Sequence, residues 1–409
     1  MMKILLATHW LIPHLGGVWN FMQQLKQRLE LLGHEVDLLG DSPDYQKIHI
    51  VNRGLELSKA ELLPMLEAKL TPQAAPGMNQ HDIIRNYELS RYCMELAAAY
   101  FGLDQYDIIH TQDIFAARSL GRVKPKKTPL IAHVHGSVSR EMSDHFRNNP
   151  SLGVTEGSPA WRYFPAVEYH AAMSSDIMIT ANQWAKNILV HECGIPDYRV
   201  TVFQYGLDSA AFQAKYHAGS TIQRPLGKKV IICPARLVHV KGIHVLLSAL
   251  AILKQWRKDW VCWIAGDGAM RAELEAQTVQ ASLQHEVFFL GEQQNVPALL
   301  SQSDIFVHTC IHDNQPFSVM EAQMAGLPSV VSTAGGLPEM VTHGHTGLIV
   351  PVNDAASTAH HLNLLLTHDD YRLYLGQNAR SFAQQHWSMD QMIDRILNIY
   401  YSALAQKSS

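Results

Sequence analysis

The stretch Asp304–Gly336 reads DIFVHTCIHDNQPFSVMEAQMAGLPSVVSTAGG and decides the fold of the second half of the chain. The apolar run Ile305–His308 predicts a buried strand, and the amphipathic segment Phe317–Ala325 predicts a helix after a polar loop. A glycine and a proline then end the helix, and Ser329–Ser332 predicts the next buried strand. The polar loop therefore lies at the carboxyl end of a parallel strand, where open α/β sheets bind their ligands.

Two carboxylates bracket this loop and the start of the helix. Asp313 precedes the predicted helix and Glu321 lies inside it, with seven residues between them. The first N–H groups of the helix, those of Phe317 and Ser318, are free to bind an anion. A carboxylate one turn further along can accept hydrogen bonds from hydroxyl groups. The pattern suits a ligand with phosphates at one end and a sugar at the other.

Both halves of the chain show the alternation of strands and helices that is typical of parallel α/β sheets. Lys3–Thr8 predicts a first strand, which a glycine-containing turn and an amphipathic helix connect to the strand Glu35–Leu39. Gly16 and Gly17 in that turn would let the backbone approach a phosphate closely, although a tight turn alone explains them better. A second alternating series begins at Val230.

Length and composition set the class of protein. A chain of 409 residues is too long for one ordinary core and predicts two domains of roughly 200 residues each. A hydrophobic content of 47% with 17% charged residues is typical of a compact protein, and the net charge of -4 gives no case for nucleic acid. Five cysteines without CxxC spacing argue against disulfides or zinc and favour a cytoplasmic location. The absence of an apolar run of about 18 residues predicts no membrane span.

Two cations follow the first predicted strand of the second half. Arg236 and Lys241 lie in the segment PARLVHVKG, and two cations at the carboxyl end of a strand suit a pyrophosphate. Taken alone, both are explained better as solvated loop residues. His135 follows the predicted strand Leu130–Val134, and a neutral imidazole there can hydrogen-bond a sugar hydroxyl. No Asp-x-Asp occurs in the chain, so a divalent metal that clamps phosphates has no obvious ligands.

A basic cluster in the first half allows two interpretations. A solvated loop is the favoured one, and a patch for an anionic membrane surface or a lipid-phosphate acceptor is the alternative. The cluster consists of Arg118, Arg122, Lys124, Lys126 and Lys127.

The quoted stretch resembles the acid-x7-acid motif of the retaining GT-B glycosyltransferases of family four, also called glycosyl transferases group 1. Asp313 stands where the family usually has a glutamate, and Asn314-Gln315-Pro316 replaces its glycine-rich part. Glu321 matches the second acid, and the residues Ala322, Ala325, Gly326 and Pro328 match as well. The segment from Arg236 to Gly242 is similar to the one that holds the donor diphosphate, and His135 matches a histidine close to the donor sugar.

The resemblance implies a fold and a set of roles. It implies two Rossmann-like domains whose parallel sheets face a central cleft: an acceptor-side domain over residues 1–212 and a donor-binding domain over 230–384. The polar composition of residues 213–229, with glycine and proline, predicts the linker between them. The last helix, about 385–409, would pack back on the first domain. Arg236 and Lys241 would bind the diphosphate, helped by Phe317, Ser318, Gly16 and Gly17. Glu321 would bind the ribose, Gly291 and Val296 would lie against the nucleobase, and Asp313 and His135 would face the transferred sugar.

The implied reaction moves a sugar from a nucleoside-diphosphate donor, most often a UDP-sugar, to a hydroxyl group of a sugar, glycolipid or small molecule. It would retain the anomeric configuration by front-face attack, without metal or other cofactor, in the synthesis of polysaccharides, glycolipids or other glycoconjugates. The enzyme would be cytoplasmic, with peripheral contact to the inner face of the membrane as one option. Two alternatives stay open: a sugar-nucleotide epimerase of the same architecture, and a non-catalytic sugar-nucleotide-binding partner.

Overall fold

The computed structural model describes residues 1–13 and 17–408, and it divides into two compact units. The first unit is formed by Met1–Phe203 together with the end of the chain from Ile393, and the second by Gln204–Met392. Gly16, one of the two predicted phosphate-binding glycines of the first turn, lies outside the described residues.

Each unit has one sheet. The strands of the first unit are β1 (Lys3–Leu11), β2 (Glu35–Asp41), β3 (Lys47–Ile50), β4 (Leu55–Ser58), β5 (Ile108–Thr111), β6 (Leu130–Val134), β7 (Ile177–Thr180) and β8 (Val200–Val202). The strands of the second unit are β9 (Lys229–Pro234), β10 (Trp260–Ala265), β11 (Val287–Gly291), β12 (Ile305–His308), β13 (Ser329–Ser332) and β14 (Gly347–Val350).

Helices connect most of these strands. They are α1 (Gly17–Leu31), α2 (Lys59–Lys69), α3 (Asp82–Phe101), α4 (Ile114–Val123), α5 (Val138–Asn148), α6 (Pro159–Ser174), α7 (Gln183–His191) and α8 (Ser209–His217). The later ones are α9 (Ile243–Trp256), α10 (Arg271–Gln280), α11 (Val296–Leu300), α12 (Phe317–Ala325), α13 (Leu337–Met340), α14 (Ala355–Thr367), α15 (Asp369–His386) and α16 (Met389–Ser408).

The sheet of the first unit is parallel except at one edge. Its order is β4-β3-β2-β1-β5-β6-β7-β8, and the two pairs that involve β3 are antiparallel. The central strand β1 is buried on both faces, since Ile4, Leu5, Leu6 and Ala7 are all fully inaccessible. Continuous apolar runs of this kind are expected where helices cover both faces of a parallel sheet.

The sheet of the second unit positions the candidate site. Its order is β11-β10-β9-β12-β13-β14, all parallel, which is the strand order of dinucleotide-binding sheets. The direction of winding reverses between β9 and β12, so the loops after these two strands open at the topological switch point. Ligands of open α/β sheets bind in the crevice at this point.

The predicted elements around the site are confirmed to the residue. The strands Leu130–Val134, Ile305–His308 and Ser329–Ser332 and the helix Phe317–Ala325 have the predicted bounds. Gly326 ends the helix in a left-handed conformation with φ of 78°, which glycine adopts without a steric cost.

The division of the chain differs from the predicted boundaries. The first unit ends at Phe203 instead of residue 212, and residues 204–229 lie with the second unit. The predicted linker, 213–229, begins inside a helix, because α8 continues to His217 and packs against α11. The polar composition of this segment reflects surface exposure of its helix and loop.

The last helix, α16, has residues in both units. α16 begins in the second unit, and its residues from Ile393 onward pack in the first. Ile396, Tyr400 and Ala403 are buried there, and the Tyr400 hydroxyl lies 2.7 Å from Nδ1 of His110. Lys407 forms an ion pair of 2.7 Å with Asp176.

Among the helices of the described residues, none is both long enough and apolar enough to span a bilayer.

Candidate active site

The loops that follow β9 and β12 are in direct contact. Gly242, at the start of α9, has φ of 64°, and a Cβ atom at this position would lie 2.0 Å from the carbonyl oxygen of Thr309. The Thr309 hydroxyl in turn donates a hydrogen bond of 2.9 Å to the Gly242 carbonyl. The absence of a side chain at Gly242 lets the two loops meet at the switch point.

This contact brings Lys241 onto Asp313. The Lys241 ammonium forms an ion pair with Oδ2 of Asp313, and Nε2 of His308 lies 2.8 Å from the same oxygen. Burial raises the pKa of Asp313, but Lys241 and His308 outweigh it and hold that pKa well below its usual range. Burial lowers the pKa of His308, while Cys310 and Asp313 together raise it to about 9. One carboxylate therefore pairs with two cations.

Arg236 stays available in the neighbouring loop. Its side chain is exposed and has no hydrogen-bond or ion-pair partner within the part of the chain that the structure describes. Two glycines after β10 support its loop, since a Cβ at Gly266 would lie 2.0 Å from the Ala235 carbonyl and one at Gly268 would lie 2.5 Å from the Leu237 carbonyl. These glycines shape the backbone on either side of Arg236.

The N terminus of α12 completes this group. The helix starts at Phe317 after Pro316, and no side chain caps it. Phe317 and Ser318 are half-buried. The Tyr205 ring stacks on that of Phe317 with the ring centroids 5.7 Å apart, and Oε1 of Gln315 accepts a hydrogen bond of 3.0 Å from the Tyr205 N–H. Because first-turn N–H groups have no partner inside a helix, this terminus is suited to an anion.

Glu321 lies one turn further along α12 in a half-buried position. Burial raises its pKa to about 7, although the charge of Lys215 on α8 opposes the shift. Within the described residues the Glu321 carboxylate has no hydrogen-bond partner. An uncommitted carboxylate of this kind can accept hydrogen bonds from the hydroxyls of a ligand. Sequence reasoning did not find Lys215, because it lies in the segment interpreted as a linker.

The two predicted nucleobase residues lie at the carboxyl end of β11. Gly291 ends that strand with φ of 69°, and its carbonyl accepts a hydrogen bond of 2.8 Å from Gly266. Val296 begins α11, which packs against α12, the helix that carries Glu321. Both residues are half-buried. The structure therefore places the Val296 helix beside the Glu321 helix, while Gly291 contacts the glycine turn after β10.

His135 lies in the first unit, at the end of β6. Its Nε2 is 2.9 Å from Oε1 of Gln112, and its ring stacks on that of His133 with centroids 4.1 Å apart. Burial lowers the pKa of His135 to about 3, so the imidazole is neutral at physiological pH. Gln112, which fixes the ring, carries no motif that sequence reasoning could have found.

Gly17 is exposed at the first position of α1. A Cβ atom at this position would meet nothing within 4 Å. The fold itself therefore imposes no steric need for a glycine here.

A cavity of about 470 Å³ opens in the first unit. The helices α3 and α6 each run toward the start of the strand that follows, so their N termini lie at the carboxyl edge of the sheet. The cavity lies between these N termini, on the ligand-binding edge of an open α/β sheet. Its lining mixes apolar and polar side chains: Met78, Gln80, Ile84, Glu88, Pro159, Arg162 and Tyr163, with Gly77.

Three cations of the basic cluster are held by neighbouring side chains. Arg122 pairs with Glu95 at 2.9 Å, Lys124 lies 3.6 Å from Asp176, and Arg118 donates a hydrogen bond of 2.9 Å to the Ser174 hydroxyl. Lys126 and Lys127 are exposed and have no acidic partner in the described ranges. Two of the five cations are therefore in ion pairs of the first unit, and a third is held by a hydroxyl group.

The fold and these side chains together define an α/β protein of two sheet-containing units, with charged groups at the topological switch point of the second. Two family models match the chain: Glycosyltransferase Family 4 over residues 15–211 and Glycosyl transferases group 1 over residues 220–382. Between them the matches span both units, and the chain belongs to this family of glycosyltransferases. It is a transferase enzyme, as the resemblance implied.

Relatives extend over most of the chain. An uncharacterized glycosyltransferase of Methanocaldococcus jannaschii is 25% identical, covering 98% of this chain and 99% of its own length. An Escherichia coli UDP-Gal:alpha-D-GlcNAc-diphosphoundecaprenol alpha-1,3-galactosyltransferase is 24% identical, over 80% of this chain and 83% of its own. The crystal structure of Anabaena HepE in complex with UDP and glucose shares the fold with a TM-score of 0.69, at 19% identity over 98% of this chain and 100% of that one. The predicted GT-B class of two parallel-sheet domains is confirmed.

Proposed function

We propose that this enzyme transfers a sugar from a UDP-sugar to a hydroxyl acceptor, with retention of configuration and without a metal ion. The observation that carries the proposal is the set of groups at the switch point of the second unit. Two cations, an uncapped helix N terminus and a carboxylate without a partner lie on the loops after β9 and β12 and on the helix that follows. A nucleoside diphosphate needs these groups at its phosphates and its ribose.

In this proposal Arg236, Lys241 and the N–H groups of Phe317 and Ser318 bind the diphosphate. Glu321 accepts hydrogen bonds from the ribose, and Gly291 and Val296 border the base. Lys241 must then turn from the Asp313 carboxylate toward a phosphate, which exchanges one ion pair for another. The freed carboxylate becomes an acceptor for hydroxyls of the transferred sugar.

UDP is the proposed nucleotide because of two of the similar proteins. The HepE structure holds UDP and glucose, and the galactosyltransferase of Escherichia coli is named for a UDP-galactose donor.

The chemistry requires stabilisation of a departing diphosphate. The cations and the helix terminus supply positive potential where charge develops on the leaving oxygen. In front-face attack the acceptor oxygen bonds to the anomeric carbon as the bond to the phosphate oxygen breaks, and that phosphate oxygen takes the acceptor proton. The neutral His135, held by Gln112, acts as a hydrogen-bonding group for the sugar and not as a cation.

The cavity of the first unit is the proposed position of the acceptor. Met78, Ile84 and Pro159 offer apolar contact, whereas Gln80 and Arg162 have side chains without hydrogen-bond partners in the described part of the chain. The Tyr163 hydroxyl donates a hydrogen bond of 2.8 Å to the Glu88 carboxylate and so fixes this side chain in the wall of the cavity. A sugar, with apolar ring faces and a rim of hydroxyls, fits a lining of this kind.

Contact with the inner face of a membrane is a further part of the proposal, since the named acceptor of the Escherichia coli relative carries a lipid. Lys126 and Lys127 are the exposed cluster cations without an acidic partner in the described ranges, and they would contact such a surface.

The test is thermal unfolding of the full chain with a panel of nucleoside diphosphates and sugar nucleotides in the presence of EDTA. A ligand that binds only the folded protein raises the midpoint. We expect UDP and one UDP-sugar to raise it, and other bases to raise it less. A midpoint that no nucleotide changes, or one that responds only after EDTA is replaced by a divalent cation, would contradict the proposal.

His135 provides a second test, in which binding and turnover separate. His135→Ala should abolish sugar transfer and leave the UDP-induced rise in the midpoint unchanged, because the phosphate and ribose groups lie in the second unit. Full activity of this variant would remove His135 from the reaction.

A further inference from the structure

Three side chains with metal-ligating atoms meet at the end of β12. They are His308, the last residue of the strand, with Cys310 and Asp313 in the loop that follows. The nitrogen, sulfur and oxygen ligand atoms all lie within 4.8 Å of one another. His308 and Cys310 are buried, whereas Asp313 is partly accessible and so gives the cluster an opening to solvent.

The hydrogen bonds of these groups leave two ligand atoms poorly satisfied. Nδ1 of His308 has no oxygen or nitrogen partner within the described residues, and the Cys310 side chain lies in hydrogen-bonding reach of the ring. The His308 side chain is buried, with 1% of it exposed. The Cys310 sulfur lies 3.8 Å from the Ser332 hydroxyl, which donates its own hydrogen bond of 2.6 Å to the Cys310 carbonyl. A buried polar atom without a partner is costly in a folded protein, which points to a ligand at this position.

The backbone around the cluster is fixed. Gly335, with φ of 56°, approaches Asp313 so closely that a Cβ atom would lie 1.8 Å from the Asp313 carbonyl oxygen. The N–H of Gly336 donates a hydrogen bond of 3.1 Å to the same carbonyl. The loop is therefore held to the end of β13 at both Cys310 and Asp313, and such outer contacts fix the orientation of metal ligands.

Imidazole, thiolate and carboxylate are the three ligand types that zinc takes in proteins. Metal–ligand bonds of about 2.0–2.3 Å in a tetrahedron place neighbouring ligand atoms roughly 3.3–3.8 Å apart. The cluster reaches this spacing by inward movements of roughly an ångström, which rotation of side chains supplies. Three protein ligands leave the fourth position to water, the arrangement of an open zinc site.

We propose that His308, Cys310 and Asp313 bind a divalent transition-metal cation of the zinc type. The Cys310 thiol and the protonated His308 imidazole each release a proton to solvent on binding, because a thiolate and a neutral imidazole are the ligands. The cation displaces the Lys241 ammonium from the Asp313 carboxylate, since both positive charges compete for one group. Asp313 is then unable to accept a sugar hydroxyl, so the occupied site inhibits transfer, and this consequence rests on the proposed function.

The experiment titrates the metal-free full chain with Co²⁺, which reports a thiolate ligand by a charge-transfer band in the near ultraviolet and tetrahedral geometry by visible bands. The unchanged chain and Cys93→Ala, which removes a buried cysteine of the first unit, should both show these bands. Cys310→Ala should lose the charge-transfer band. Absence of the band in the unchanged chain, or a band that Cys310→Ala leaves intact, overturns the proposal.

A second variant covers the case in which Cys310→Ala fails to fold. His308→Gln keeps the thiol and should weaken Co²⁺ binding at least tenfold, since even outer contacts of metal sites contribute about 10–100-fold in affinity. Unchanged affinity would overturn the ligand set.

Inhibition is measured separately. Zn²⁺ should lower sugar transfer and leave the UDP-induced rise in the thermal midpoint in place. If UDP raises no midpoint at all, the proposed function fails, whereas the Co²⁺ bands decide the metal site independently of it.

Discussion

Lys241 and His308 bind the same oxygen of Asp313, so in the proposed function a donor diphosphate competes for Lys241 with a carboxylate that is already present. Such a pairing keeps a buried cation and a buried anion from being left uncompensated in the absence of ligand. The contribution of Lys241 to the free energy of donor binding is then the difference between its pairing with a phosphate and its pairing with Asp313. At the scale of single residues, the site is organised by this competition.

Lys241→Ala should weaken UDP binding by about 1.5–3 kcal/mol, the range for hydrogen bonds to charged groups. The measurement is isothermal titration calorimetry, and Lys258→Ala, which removes an exposed lysine of the same unit, is the control. Equal affinities of the two variants would remove Lys241 from the phosphate site.

Glu321 predicts a pH dependence of stability. Its folded-state pKa of about 7 lies above the ordinary 4.5, so between these values the folded protein binds more protons than the unfolded chain. The free energy of unfolding therefore falls as pH rises from 4.5 through 7. Glu321→Gln removes this pH-dependent loss of stability, so the substitution should be more stabilising at pH 8 than at pH 5. The difference in the free energy of unfolding should be up to about 3 kcal/mol, since one pKa unit corresponds to roughly 1.4 kcal/mol.

Urea unfolding at pH 5 and pH 8 checks this prediction, with Glu273→Gln as the exposed control on α10. A gain for Glu321→Gln that is the same at both pH values would show that the carboxylate titrates as it does in the unfolded chain.

The sequence was informative about residue types and much less about partners. Arg236, Lys241, Asp313 and Glu321 stand at strand ends and at a helix start, where the local pattern and the family resemblance identify them. The pairing of Lys241 with Asp313 depends on two loops separated by 72 positions in the chain, and no local pattern encodes it. Lys215 was missed for a similar reason, since only the packing of α8 beside α12 brings it near Glu321.

At the scale of elements, the contact between the loops after β9 and β12 determines the site. Gly242 permits this contact by its left-handed backbone and by its missing side chain together. Gly54 in the first unit has nearly the same φ, 63° against 64°, but a Cβ atom there meets nothing within 4 Å. An alanine at Gly54 would therefore introduce backbone strain alone, whereas an alanine at Gly242 would introduce the same strain and a steric clash with Thr309.

Gly54→Ala should cost about 1–2 kcal/mol, the strain of a left-handed residue with a Cβ atom. Gly242→Ala should cost clearly more and should also weaken UDP binding, because the loop that carries Lys241 must move away from Thr309. Urea unfolding and calorimetry on both variants check this. Similar losses of stability with UDP binding intact in Gly242→Ala would show that the loops tolerate the displacement.

The strands that the sequence predicted well are those buried on both faces, because a continuous apolar run marks them directly. The antiparallel edge strands β3 and β4 have no such apolar run, and the sequence does not predict them. Leu55 and Glu56 are exposed on that edge strand, so no hydrophobic pattern distinguishes it. The position of such a strand is set by pairing with its neighbour and not by its own composition.

At the scale of the molecule, the chain passes from the first unit to the second after Phe203 and returns at Ile393. The return was expected from the family resemblance, and the buried face of α16 shows why the returning residues are held. The predicted end of the first unit, residue 212, lies beyond the observed end at Phe203, because a polar composition indicates an exposed segment and does not indicate the core that the segment packs on.

Tyr400→Phe should lower the stability of the first unit by about 1–3 kcal/mol, since Nδ1 of buried His110 then loses its partner. UDP affinity should not change, because the groups proposed to bind it lie in the second unit. Hydrogen exchange followed by mass spectrometry, with the exposed Tyr401→Phe as control, resolves the two units. Equal loss of protection in both units would show that they unfold as one.

The shared helix α16 has a consequence for synthesis on the ribosome. Domains of larger proteins generally fold as units in the order in which they emerge. Here the second unit is one continuous segment and can be completed once Met392 has left the exit tunnel. The first unit, whose strands are translated earliest, still lacks the buried Ile396, Tyr400 and Ala403 at that moment. The half of the enzyme that is made first is therefore finished after the second, and a nascent chain stalled before Ile396 holds a completed second unit and an unfinished first one.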